Sequence, residues 1–86
     1  MKYQLADHVS FTDLEGDAVL LDLNSGAFFG LNHVGAQLLS ELRAHNSIED
    51  SIQKIAHQYN ESKTTVADDI NELIEQLVAK KLIVSI

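Results

Sequence analysis

The sequence predicts an α+β fold of the winged helix-turn-helix type, with a three-stranded antiparallel N-terminal sheet followed by three helices. Three observations predict it. Short alternating apolar runs, separated by glycine-containing turns, fill the first third of the chain. Two amphipathic helical stripes joined by a short polar turn fill residues 47–79. No proline and no low-complexity linker interrupts the 86 residues, so we read 1–86 as a single domain.

The elements follow in order. Residues 1–7 read as a loose or weakly extended lead-in. Val9 and Phe11 alternate with Ser10 and Thr12, the period of a half-buried strand. Asp13 to Asp17 contains Glu15 and Gly16 and reads as a turn. Ala18 to Leu23 is the second strand, with Val19, Leu21 and Leu23 on one face and Leu20 and Asp22 on the other. Asn24, Ser25 and Gly26 form the next turn, in which Gly26 supplies the left-handed residue of a three-residue hairpin with a bulge. Ala27 to Leu31 is the third strand.

Asn32 caps the first helix, whose apolar positions are Val34, Leu38, Leu39 and Leu42, and His45 and Asn46 end it. Ser47 opens the second helix, with Asp50 three residues on and a stripe of Ile48, Ile52, Ile55, Ala56 and Tyr59. Ser62 or Thr64 caps the third. Its stripe is Val66, Ile70, Leu73, Ile74, Leu77 and Val78, and Lys80 and Lys81 are read into its last turn. Residues 82–86 are too apolar for a solvated tail and read as a short final strand or a segment packed on the body.

Composition narrows the function. A net charge of −7, from 13 acidic and 6 basic residues, repels nucleic acid and anionic lipid and favours a basic or neutral partner. The chain has no cysteine, which removes disulfides and thiolate metal sites. No apolar run approaches the ~20 residues of a membrane span, and we expect a cytoplasmic protein.

The candidate chemistries are weak. Between Thr64 and Ala79 the third helix carries Asp68, Asp69, Glu72 and Glu75 and no Lys or Arg, so a winged-helix DNA-binding protein would be an atypical one. His33, His45 and His57 recur every 12 residues, but no partner sits at the i+3 or i+4 spacing of a helical metal site, and His8 is isolated too. Neither a Gly-x-Ser-x-Gly elbow nor a phosphate-cradling loop is present, so we expect no enzyme, cofactor or metal. Asp50, Ser51 and Ile52 at a helix start resemble the Asp-Ser-Leu attachment site of acyl carrier proteins, in which serine carries phosphopantetheine. Carrier proteins are all-helical, so this stays an alternative.

What remains is a binding surface. Phe28 and Phe29 are adjacent in a strand and point to opposite faces, one into the core and one near the surface. Gly30 leaves a gap in the side-chain row where another backbone can come close. Together they suggest a strand edge that pairs with an extended peptide beside the third helix. On that helix Asp69, Leu73, Gln76 and Lys80 line one flank, and Asn71 and Glu75 the other; periodicity leaves both flanks open.

Leu21-Asp22-Leu23-x-x-Gly26-x-Phe28-Phe29-Gly30-Leu31-Asn32-x-x-Gly35, then Asp69-Ile70-x-x-Leu73-x-x-x-Leu77 and Lys81-Leu82-Ile83, resemble the PqqD family over about Val19 to Val84. These small proteins are the RiPP recognition elements of ribosomally made, post-translationally modified peptides. The resemblance implies a non-enzymatic module. It would bind the leader segment of a precursor peptide as a strand added to the third strand, beside the third helix, and present it to a modifying enzyme. Relatives serve leader peptidases and cyclases of lasso-peptide pathways and radical-SAM enzymes. The sequence departs from many relatives in having Phe28 where tyrosine is common and no tryptophan in the first helix. The expected peptide contacts are Ala27, Phe28, Phe29 and Gly30 on the strand and Asp69, Leu73 and Gln76 on the helix, with Asp69 placed to meet a basic leader residue.

Overall fold

A computed structural model describes residues 2–86. Its elements are β1 (Tyr3–Leu5), β2 (Val9–Leu14), β3 (Asp17–Asp22), β4 (Phe28–Leu31), α1 (His33–Arg43), α2 (Ile48–Gln58), α3 (Lys63–Ala79) and β5 (Ile83–Ser85). The expected three-stranded sheet is present in the order β2-β3-β4, all antiparallel. The lead-in corrects the sequence reading: it is a strand, β1, paired antiparallel with the apolar tail, β5, in a separate two-stranded sheet.

The two hairpins differ in their turns. β2 and β3 pair down to Leu14 opposite Asp17, so the turn contracts to Glu15 and Gly16, both at positive φ (55° and 105°). That is the backbone of a two-residue type I′ connection, whose twist suits the flanking strands. Between β3 and β4 the Asp22 carbonyl accepts from the Gly26 amide (2.7 Å), and the Asp22 amide donates to the Ala27 carbonyl (2.9 Å). This loop, residues 23–27, has two residues more than expected, because Leu23 and Ala27, both read into strands, lie outside them and are exposed. Gly26 sits at φ 79°, the left-handed conformation assigned to it. The core face of β3 belongs to Ala18 and Leu20, both essentially inaccessible.

Helix starts follow the sequence. Asn32, Ser47 and Ser62 cap α1, α2 and α3, each accepting from the amide three residues on. The helix ends share a device that the sequence hides. His45, Asn60 and Lys81 follow the three helices at φ 65°, 54° and 60°. In each case the amide of that residue and of the next one reach back to the last turn, as with Lys81 to the Val78 carbonyl and Leu82 to the Leu77 carbonyl. These are Schellman motifs built without glycine. Lys80 and Lys81 therefore lie just beyond α3, which ends at Ala79, rather than in its last turn.

One core joins all elements: Leu20 and Leu31 from the sheet, Leu38, Leu39 and Leu42 from α1, Ile55 from α2, Ile70, Ile74 and Leu77 from α3, and Leu82 and Ile83 from the tail. Val78, read as part of the α3 stripe, is exposed. It lies about 100° beyond Leu77, on the side away from Leu73. Glu41 is the buried charge of the helical layer. Its carboxylate accepts from Asn46 Nδ2 (2.9 Å) and lies 3.3 Å from Lys54 Nζ, which ties α1 to its own exit loop and to α2.

Candidate functional site

β4 borders the sheet, and the register decides which of its groups face outward. In an antiparallel pair, residues alternate between bonding the neighbour and facing away. Asp22 bonds the Ala27 carbonyl and Leu23 bonds the His8 carbonyl on the other side. Ala18 and Leu20 therefore bond β4, through Leu31 and Phe29 respectively. The main-chain N–H and C=O groups of Phe28 and Gly30 point away from β3, toward the unpaired edge.

Side chains complete this edge. Phe28 is 73% exposed, whereas Phe29 is half-buried against the core. The adjacent aromatics thus divide between surface and core as the alternation requires. A Cβ placed on Gly30 would meet nothing within 4 Å, so the gap there is open space. Ala27 precedes β4. Its amide donates to Ser25 Oγ (3.2 Å) and its carbonyl accepts from Asp22, so its backbone is committed to the turn.

Beside this edge runs α3, antiparallel to β4. Near the end of β4, a Cβ at Gly35 would stand 3.2 Å from Cδ2 of both Leu31 and Leu73. A side chain there would make Leu31 and Leu73 give by a few tenths of an ångström, so glycine eases the close approach of α1, β4 and α3. Near the start of β4, Lys80 Nζ lies 6.0 Å from the centroid of the Phe29 ring. Between these two points lies a groove of about 350 Å³, walled by Phe29 and Gly30 on one side and Asp69, Leu73 and Gln76 on the other. A smaller cavity of about 230 Å³ continues it past Ala27, Phe28 and Lys80. All seven residues singled out from the sequence line one or the other. The flank of α3 facing the strand is the one with Asp69, Leu73, Gln76 and Lys80, while Asn71 and Glu75 are exposed and outside both cavities. Glu72 also lines the groove, a residue the sequence reading left aside. Its i+3 relation to Asp69 was the available signal.

The turn that launches β4 is held by Asp22. Partial burial pushes its carboxyl up, but the Asn24 and Ser25 amides and the Ser25 hydroxyl bond the charged form, and His8 Nε2 stands 4.0 Å away. The net effect holds Asp22 below the usual carboxylate value.

The other chemistries gain no support. Ser51 is fully buried and its Oγ donates to the Ser47 carbonyl (2.8 Å), so it cannot carry a phosphopantetheine arm, which needs a solvent-facing hydroxyl. The exposed face of α3 is acidic, opposite to what a phosphate backbone requires. The histidines do not converge: His33 packs edge-on against Tyr59 at 5.2 Å, and among the described residues no three His, Asp or Glu side chains gather as metal ligands. Among those residues no helix is long and apolar enough to cross a membrane.

A comparison with protein families matches residues 17–83 to coenzyme PQQ synthesis protein D (PqqD). Two solved structures share the fold. TbiB1 in complex with the TbiA(beta) leader peptide is 28% identical, with 96% of each chain covered and a TM-score of 0.88. A lasso peptide synthetase B1 complexed with the leader peptide is 25% identical, covering 99% of this chain and all of the other, also with a TM-score of 0.88. No curated protein sequence matches.

Proposed function

The chain belongs to the PqqD family, and from that membership we propose that it is a non-enzymatic RiPP recognition element of the kind that serves lasso-peptide biosynthesis. It binds the leader segment of a ribosomal precursor by strand addition to β4 and presents the precursor to a modifying enzyme such as a leader peptidase, a cyclase or a radical-SAM enzyme. The observation that carries this reading is the pair of outward main-chain rows at Phe28 and Gly30, bordering a groove whose far wall is α3. An extended chain laid there gains amide hydrogen bonds from β4 and side-chain burial against Leu73 and Phe29. Ala27, Phe28, Phe29, Gly30, Asp69, Leu73 and Gln76 are the proposed contacts, Ala27 and Phe29 through their side chains. Both structural neighbours hold leader peptides, which favours the same ligand class for this chain.

The test is calorimetric. The full chain is titrated with the intact precursor, with its leader half and with its core half. Saturable one-to-one binding of precursor and leader, and none of the core, is the expected result. Equal binding of leader and core, or binding of neither half with retained binding of an acyl-chain donor, would overturn the reading.

A further inference from the structure

Building on the leader-binding reading above, we infer that the groove selects a leader segment with a fixed charge polarity: a Lys or Arg followed, at an even spacing of about four to six residues, by an Asp or Glu, with an apolar side chain between them on the same face. One end of the groove is negative. Asp69 and Glu72 line it, both exposed, and neither has a hydrogen-bond or ion-pair partner among the described residues. The other end carries a cation. Lys80 lines the continuing cavity, stands over the Phe29 ring and makes no ion pair among those residues. Asp22 lines that cavity too and keeps its charge; its Oδ1 accepts from the Asn24 and Ser25 amides, which directs that oxygen to the turn, whereas Lys80 has no such local partner. Between the ends the wall is Leu73 and Phe29.

The spacing follows from two periodicities. Asp69 and Lys80 are 11 positions apart, which at the helical rise spans about 16 Å. An extended chain covers that in about five residues, and side chains facing α3 recur every second residue, so the separation must be even. The direction follows from pairing. Every strand pair of this sheet is antiparallel. A chain added antiparallel to β4 runs in the direction of α3, because β4 and α3 are themselves antiparallel. Its upstream part meets Asp69 and Glu72, and its downstream part meets Lys80.

The experiment selects a displayed library of random peptides, long enough to span the groove, on the 86-residue chain, alongside the Gly30→Pro variant and the double variant Asp69→Lys/Glu72→Lys. Exposed ion pairs of this kind change affinity by about two- to five-fold each. Peptides enriched on the parent and lost on Gly30→Pro should carry the cation at the upstream position several-fold above background, with the anion downstream at even spacing. The double variant should exchange the upstream preference from cation to anion. Groove-dependent peptides with no charge bias, with the reverse order, or with an unchanged preference on the double variant would overturn the polarity and leave strand addition standing. Peptides equally enriched on Gly30→Pro would overturn strand addition itself, and the polarity with it.

Discussion

Gly30→Pro separates the edge from the sheet more cleanly than any other substitution. Gly30 is opposite Val19 in a non-bonded pair, so its N–H belongs to no ladder hydrogen bond. Proline removes that N–H, and edge strands are where proline is tolerated. A Cβ there meets nothing within 4 Å, and the ring closes onto a nitrogen that faces the unpaired edge. In the complex the loss is larger. The hydrogen bond is gone and the leader carbonyl that it would serve is left buried and unpaired, at a cost of about 1–3 kcal/mol. That corresponds to a roughly 5- to 150-fold loss of affinity. Fluorescence anisotropy with labelled leader reads the affinity, and chemical denaturation confirms the fold. Gly30→Ala, which keeps the N–H and fills only part of the gap, is the control and should lose less affinity than Gly30→Pro. A folded Gly30→Pro protein with parental affinity would refute the reasoning.

Other perturbations follow from the same geometry. His45→Gly and Lys81→Gly relieve side chains held in the left-handed region after α1 and α3, and each should stabilise the protein by about 1 kcal/mol in urea unfolding. Glu41→Ala strips the partner from Asn46 Nδ2 and Lys54 and should cost about 1–2 kcal/mol, whereas Lys54→Ala, with its 62% exposed side chain, should cost almost nothing. Asp22 has a lower pKa folded than unfolded, so it contributes stability above the unfolded carboxylate value of about 4 and loses it as pH falls from there through its lower folded pKa. Asp22→Asn keeps the acceptor oxygen but not the charge. Its denaturation midpoint should therefore fall less steeply than the parent's on acidification, a comparison read by circular dichroism.

Local signals made most of the fold legible. The hairpin loop, the three N-caps and the helical stripes each depend on residues within a turn or two of one another, and the sequence shows them directly. β1 was not legible for the opposite reason. Tyr3-Gln4-Leu5 is short, and its partner Ile83–Ser85 lies at the far end of the chain, so only tertiary pairing makes it a strand. The candidate site divided in the same way. Phe28, Phe29 and Gly30 announced an edge through alternation and a missing side chain. The choice of α3 flank depended on how Gly35 lets Leu31 and Leu73 meet, a packing fact with no period in the sequence. Val78 misled because it continues the apolar stripe, yet the core is already filled by Leu77 and Leu82.

Amide hydrogen exchange, followed by NMR with and without the precursor, probes the β4 border residue by residue. The account predicts that the Phe28 and Gly30 amides, open to water in the free protein, slow markedly when precursor is added, while the Phe29 amide, already bonded to Leu20, changes little. Unchanged exchange at Phe28 and Gly30 in a saturated complex would contradict it.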